Sequence, residues 1–400
     1  MHKHKQSQCK RKVKHRKNLM GLIIFCITVC IVFMFAYYQN LRKEISVRQE
    51  WLETVLTREK KWILENQGPE GEIYMNGSKA GDVNPYFACM AALGLLAETK
   101  NCPMTETEQK AVGRYLDWHT GVLLETDGKM GIYRKEGGEL IYKEKADSED
   151  GYLGMYLFLM GKYLEKTEST DLPESWKNGI SLALKKIQSL MQDGITQVSE
   201  ENTTVYLMDN LEVWKGLYEL EHAGLKDVQA IREMRNKLQA QIEKLFWDDA
   251  NQRWRIIENS DLYHQKEFYP DGVAQIYPLI YEFPVKEKKK QKILYEQFTE
   301  RFQWQKLTKK RNGFLWAMTG MAAAQMGDIN NLLEMIRNYE AEYCENRKYP
   351  LYTGEAGWIC MECEKLYSLY EKNKNRIFGL TGLPAFCKLL QNIKYVLFRQ

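Results

Sequence analysis

The sequence predicts an all-α protein: an (α/α)6 toroid of six helical hairpins, preceded by one N-terminal transmembrane helix. Three observations lead there. Past residue 45 helical periodicity is pervasive and strand signals are few. Amphipathic helices alternate with helices that are apolar almost all round. An uncharged run of about twenty residues, Leu19–Tyr38, follows a tail dense in Lys and Arg.

The N-terminal segment comes first. The 400 residues carry a formal charge of +4, but eight cations (Lys3, Lys5, Lys10, Arg11, Lys12, Lys14, Arg16 and Lys17) lie in the tail with no acid. Without them the chain stands at about −4, which excludes a basic nucleic-acid-binding domain. A content of 44% hydrophobic and 12% aromatic residues excludes a disordered chain. Roughly twenty helical residues span the ~30 Å hydrocarbon core. The Lys/Arg flank holds its side in the cytoplasm, so the C-terminal domain is expected outside, in a single-pass cell-membrane topology. No small-x-small site follows the run, which favours an uncleaved signal anchor over a signal peptide. The expected organisation is a basic tail over 1–18, an anchor over 19–38, a toroid over 46–371 and a helical extension over 372–400.

Six amphipathic helices are expected over 46–66, 105–119, 173–192, 226–247, 286–303 and 328–345. Each charged face marks an outer, solvated helix. Between them lie apolar helices rich in Ala, Gly, Met and Leu, starting near Asp82, Asp150, Asp209, Asp271, Gly313 and Glu355. Helices apolar all round are buried, so these form the inner ring. Glycine followed by aspartate marks junctions such as Gly327-Asp328, and Thr105 with Glu108 is a capping-box pattern. Residues 121–149 break the helical pattern, and Gly131-Ile132-Tyr133-Arg134 and Glu139-Leu140-Ile141-Tyr142 alternate as a short hairpin. Residues 250–269 form a second long connection. Loops of that length in a compact domain are usually functional.

Polar residues concentrate where the inner helices begin. Asp82, Asn84 and Tyr86 open the first; Asp147, Glu149, Asp150 and Tyr152 the second; Asp209, Asn210, Glu212 and Trp214 the third. Tyr269, Asp271 and Gln275 open the fourth, Trp316 the fifth, and Tyr352, Glu355 and Trp358 the sixth. Taken singly, each acid is an N-cap. In a ring of alternating hairpins the inner helices run parallel, so the whole set converges on one rim. Carboxylates sharing a pocket repel one another and raise the pKa of at least one, which sets a proton donor beside an ionised base. Tyr and Trp faces at the same rim suit stacking on sugar rings. The scattered cysteines do not form a disulfide scaffold, and Cys360 and Cys363 read as core residues or as one local disulfide. His119, His222 and His264 have no ligand-like spacing, so neither a metal nor another cofactor is expected.

The alternation resembles that of the six-hairpin glycosidases, and residues 128–164 resemble family 8 glycoside hydrolases. Gly131-Ile132-Tyr133-Arg134 and then Ala146-Asp147-Ser148-Glu149-Asp150-Gly151-Tyr152 carry the likeness, with Asp147 and Glu149 at the two acidic positions of that family's signature. Where the family's first inner helix carries its general-acid Glu, this chain offers Gly81-Asp82-Val83-Asn84-Pro85-Tyr86. The resemblance implies a membrane-anchored hydrolase of a cell-surface or extracellular polysaccharide. Asp82 would then be the general acid, with Asp209 or Asp271 as base. Tyr86, Asp147, Glu149, Asp150, Tyr152, Trp214, Trp316, Glu355 and Trp358 would bind the sugar. The alternative is a glycan-binding or polysaccharide-assembly protein that kept the fold without the acid.

Overall fold

The computed structural model describes residues 2–77, 81–137, 139–169, 171–307 and 313–381, with side chains described from 18 to 374. Twelve α-helices pair into six hairpins among the described residues. They are α1 (His2–Glu65) with α2 (Pro85–Leu95), α3 (Glu106–Glu125) with α4 (Glu149–Thr167), and α5 (Glu174–Leu190) with α6 (Leu207–His222). The series continues with α7 (Gln229–Phe246) and α8 (Val273–Ile280), α9 (Lys288–Phe302) and α10 (Thr319–Met326), then α11 (Ile329–Tyr339) and α12 (Thr353–Thr381). The fold is an (α/α)6 toroid. The chain divides into two compact units, Leu52–Leu369 and Met1–Trp51 with Tyr370–Gln400. The expected extension over 372–400 lies outside the described residues beyond 381.

Burial sorts the helices as their composition predicts. In α4 every residue from Glu149 to Gly161 is buried, whereas α7 buries only Ile231, Leu238, Ile242 and Phe246. In the larger unit α1 contributes Leu52, Val55, Leu56 and Ile63, all fully buried. Small residues let the inner helices approach closely. A Cβ on Gly154 of α4 would lie 2.7 Å from the Val213 nitrogen of α6, and one on Gly161 would lie 2.5 Å from the Glu219 carbonyl carbon. Gly94 of α2 meets Gly357 of α12 in the same way and closes the ring. In a closed ring of six, α6 and α12 stand opposite each other.

The C-terminal ends of the inner helices are tied by ion pairs. Lys215 lies 2.7 Å from Glu219 and 2.9 Å from Glu282, which also takes Lys365 at 2.6 Å. Lys166 bridges Glu98 and Glu364 at 2.7 and 3.2 Å. Cations at helix C-termini also complement the backbone dipole.

The other end is built from connections. Strands β1 (Asp82–Val83), β2 (Gly131–Glu136) and β3 (Glu139–Lys145) form one antiparallel sheet in that order. Two further tight hairpins link outer to inner helices: β4 (Met191–Gln192) with β5 (Ile195–Thr196), and β6 (Trp247–Asp248) with β7 (Arg253–Trp254).

Several helix starts differ from expectation. Asp82 belongs to β1, and α2 begins after Asn84, whose side chain accepts from the Tyr86 nitrogen at 2.9 Å and whose follower is Pro85. Helix α6 begins at Leu207, so Asp209 lies within its first turn and is not the cap. Helix α10 begins at Thr319 instead of near Gly313, because Trp316 takes a left-handed φ of 60° that interrupts the helix.

Candidate active site

The N-terminal ends of all six inner helices surround one cavity of about 710 Å³. Its side chains include Tyr86 before the body of α2, Asp147 and Tyr152 at α4, Asp209 and Glu212 at α6, and Tyr277 on α8. Trp316 precedes α10, and Glu355 and Trp358 lie on α12. The parallel packing deduced from alternation therefore brings eight of the expected residues to one place: Asp82, Tyr86, Asp147, Tyr152, Asp209, Trp316, Glu355 and Trp358.

Glu212 has the most specific surroundings. It is 2% exposed and sits one turn after Asp209 on α6. Its Oε1 accepts hydrogen bonds from the hydroxyls of Tyr86, Tyr277 (2.7 Å) and Tyr281 (3.3 Å). The hydroxyls all bind the same oxygen. Oε2 lies toward Gly151, where a Cβ would come within 2.7 Å of it. Burial pushes the Glu212 carboxyl up to about 8; the tyrosine hydroxyls oppose that rise, and the charge of Asp150 adds to it. The shift favours the protonated form, and the tyrosine hydroxyls hold Oε1 and not Oε2.

Glu355, on the opposite helix, has a different setting. Its Oε1 accepts from the backbone N–H groups of Leu315 and Trp316, both at 3.1 Å, and its Oε2 from that of Ala317 at 2.8 Å. Burial raises its carboxyl to about 7, and the three main-chain donors work against the rise. A carboxylate has about four lone-pair sites, so one is left for a further donor. The donors come from the same segment in which Trp316 holds its left-handed φ. Backbone strain of order 1–3 kcal/mol persists where the surroundings over-determine it.

Asp209 is half-buried, and its carboxyl is pushed well above the usual range by burial and by the charges of Asp150 and Glu212. Asp150 lies beneath this group, away from the cavity lining. Its oxygens accept from Ser148 (2.8 Å), the Gly151 nitrogen (3.0 Å) and Thr196 (2.7 Å), and burial raises it to about 6. Thr196 also bonds Asn210 of α6, so the β4–β5 hairpin joins the starts of α4 and α6.

Besides Asp150, four of the expected roles meet a different geometry. Asp82 reaches the cavity wall but is held by Arg134 at 2.6 and 3.1 Å and by Lys143 at 2.9 Å. The Arg134 hydrogen bond, aided by Lys143, lowers its pKa, the opposite of the shift a general acid calls for. Asp271 is buried off the cavity and accepts from the His264 nitrogen at 2.6 Å, which pins the long 250–269 connection. Glu149 pairs with Lys145 at 3.2 Å and is likewise off the lining. Trp214 is core, packed edge-on against Phe283 with ring centroids 5.0 Å apart.

Aromatic residues line the wall. Tyr269 lies against Trp316 at 4.7 Å between centroids, Phe87 stacks on Phe314 at 5.3 Å, and Tyr86 meets Tyr152 at 5.5 Å. The tyrosine clamp is what sequence reasoning missed. Tyr277 and Tyr281 are spaced i, i+4 inside an apolar helix, where a phenol reads as core, and Glu212 stood on the rim without a role. Among the described residues no group of three or more His, Cys, Asp or Glu is arranged to hold a metal ion.

Neither a protein-family model nor a curated protein matches the chain. Solved structures do. A glycosidase with a glutamate-to-alanine substitution aligns with a TM-score of 0.58 at 12% identity over 81% of this chain and 99% of that one. A second such variant, in complex with glucose, gives 0.54 at 12% identity over 82% and 98%. A novel α-amylase from Clostridium perfringens gives 0.50 at 12% identity over 78% and 97%. At this identity the likeness is one of fold alone, the (α/α)6 toroid.

Proposed function

We propose that the chain is a membrane-anchored, extracytoplasmic glycoside hydrolase in which Glu212 is the general acid and Glu355 the general base. The observation that carries this reading is Glu212 itself: a buried carboxyl at the wall of an aromatic cavity, its pKa raised to about 8 and one oxygen fixed by tyrosine hydroxyls. Proton donation to the glycosidic oxygen needs an acid still protonated at working pH. As that C–O bond breaks, Glu212 transfers its proton to the leaving oxygen. Glu355 takes a proton from the water that attacks the anomeric carbon. Its pKa of about 7 and its main-chain donors suit an oriented base. Asp209, at the cavity wall with its carboxyl raised by burial, suits hydrogen bonding to a sugar hydroxyl, and Tyr269 with Trp316 suits stacking on a ring.

Solved glycosidases share the fold, and one of them is held with glucose. The narrower kinship with family 8 rests on the 131–152 segment alone, of which Asp147 lines the cavity. Anchoring rests on Leu19–Tyr38, within a helix long and apolar enough to cross a membrane, where Leu19, Phe25, Phe33 and Tyr37 are exposed. Carbonate-resistant membrane fractionation, with protease shaving of intact cells, tests the topology.

Release of new reducing ends from a polysaccharide panel, measured for the parent and for Glu212→Gln, tests the catalytic reading. Hydrolysis by the variant at the parental rate refutes it. Binding to an insoluble polysaccharide without new reducing ends, in the parent itself, selects a glycan-binding protein instead.

A further inference from the structure

Behind the wall that holds Glu212 lies a carboxyl with no exposed surface. Asp150, in the first turn of α4, is 0% exposed and does not line the cavity. A buried carboxyl is costly unless donors surround it. Oδ1 of Asp150 accepts from the Ser148 hydroxyl at 2.8 Å and from the Gly151 nitrogen at 3.0 Å, and Oδ2 accepts from the Thr196 hydroxyl at 2.7 Å. None of these donors is a cation, so they favour the ionised form without cancelling its charge. Burial raises the carboxyl to about 6, and the three donors restrain the rise.

The same contacts fix Asp150 relative to Glu212. A Cβ on Gly151, the next residue, would lie 2.7 Å from Glu212 Oε2 and 2.8 Å from Ser148 Oγ. Gly151 therefore abuts the Glu212 oxygen that the tyrosine hydroxyls do not hold. Thr196 is gripped from α6 as well: Asn210 accepts from its backbone nitrogen and donates to its carbonyl oxygen, both at 2.9 Å. Asn210 stands two residues before Glu212. Asp150 is thus joined to Glu212 through Gly151 on one side and through Thr196 and Asn210 on the other.

The other polar groups facing Glu212 are Tyr86 from α2, Tyr277 and Tyr281 from α8, and Asp209 from its own helix. The hydroxyls favour a charged Glu212, whereas the negative charge of Asp150 opposes it. Asp209 is raised by burial and by the charges of Asp150, Glu212 and Asp147. Glu149, beside Asp150 in the chain, is already paired with Lys145.

We infer that Asp150 is a positioning residue for the acid: a buried carboxylate, out of reach of any substrate, that fixes the start of α4 against Glu212 Oε2 and sets a negative charge behind Glu212. The inference rests on the reading of Glu212 as general acid.

Asp150→Asn removes the charge and keeps the contacts. The amide oxygen can replace Oδ1, and the amide nitrogen can donate to the Thr196 hydroxyl, which then donates to Asn210 Oδ1, 2.8 Å away. Profiles of kcat/KM against pH are compared for the full chain in detergent, parent and variant, on a glycan the parent hydrolyses, with thermal melting to check the fold. The alkaline limb should fall by about one pH unit in Asp150→Asn, the scale of one nearby charge in a buried site. A lowered Tm with an unmoved limb would make Asp150 structural only and overturns the inference. Should Asp150→Asn fail to fold, Thr196→Val removes one donor, makes Asp150 harder to ionise and should move the limb the same way; an unmoved limb there overturns it equally. The Glu212 carboxyl can also be titrated without substrate, as the infrared carbonyl band that disappears in Glu212→Gln. A parent that hydrolyses no glycan overturns the glycosidase reading, whereas equal infrared midpoints in the parent and Asp150→Asn overturn the role of Asp150.

Discussion

The Tyr277 hydroxyl donates a 2.7 Å hydrogen bond to Oε1 of Glu212, joining α8 to α6 at the cavity wall. Tyr86 brings a second hydroxyl to the same oxygen from the start of α2. Three helices thus determine which Glu212 oxygen is held and which is left free. Burial alone would raise the carboxyl and leave it unoriented. The clamp moderates the rise and sets a direction for proton transfer.

Glu212→Gln keeps the shape of the side chain and removes the proton. Loss of a general acid typically costs 10²–10⁴-fold in rate. A fall in kcat of about that size is expected on any glycan the parent hydrolyses, with circular dichroism and melting unchanged. A fall under tenfold would assign the acid to another residue.

Tyr277→Phe removes a donor that favours the charged form of Glu212, so the carboxyl should rise further above about 8. The acid works when protonated, so the alkaline limb of kcat/KM is expected near pH 8 in the parent and higher in the variant. A hydrogen bond to a charged group is worth about 1.5–3 kcal/mol, and 1.36 kcal/mol is one pKa unit. A shift of at least about one pH unit follows. A pH–rate profile with an unmoved or lowered limb contradicts the clamp.

Asp82→Asn removes a carboxylate that Arg134 and Lys143 already neutralise. Hydrolysis should persist within a few-fold of the parental rate. The β1–β2–β3 sheet should loosen, which faster hydrogen exchange over 131–145 would register. An inactive but folded Asp82→Asn would restore the acid role to that residue.

Glu282 is held down at about 2: burial opposes its ionisation, but the cations of Lys215 and Lys365 prevail. A carboxyl with a depressed folded pKa contributes stability above its unfolded value of about 4.3 and loses it as pH falls through the folded one. Unfolding free energy should therefore drop between about pH 4.3 and 2. Lys215→Met removes the buried cation that Glu219 and Glu282 share while Lys162 and Lys365 stay beside them, so it should cost about 1–3 kcal/mol near neutrality and should flatten that acid window. Urea titrations at several pH values check both. An undiminished acid slope in the variant would assign it to other groups.

Gly154→Ala places a methyl 2.7 Å from the Val213 nitrogen, where only backbone movement can relieve the contact. Overpacking of this kind costs about 1–3 kcal/mol. A lowered Tm is expected, whereas Gly224→Ala, with open space but a φ of 77°, probes backbone strain alone. An unchanged Tm in Gly154→Ala would mean the α4–α6 pair has slack.

Much of the architecture was legible because it is local. Outer and inner helices differ in whether charge covers a face, and a contrast such as that between Gln229–Phe246 and Glu149–Thr167 is visible in either segment alone. The capping box at Thr105 and Glu108 was read directly and is present. Roles within the rim were harder. Asp82 and Glu212 are both acids beside an inner helix. What separates them is Arg134 and Lys143, 52 and 61 residues away from one, and Tyr277, 65 residues away from the other.

By itself the sequence determined the alternation, the apolar N-terminal run and the convergence of acids and aromatics on one end. Each follows from periodicity, and periodicity is a property of neighbours in the chain. Tertiary structure alone decided which carboxyl is buried under tyrosine hydroxyls, which of its oxygens they hold, and which tryptophans face a cavity. Protonation depends on burial and on the nearest charges and donors. Those come from helices that share a wall only once the ring has closed.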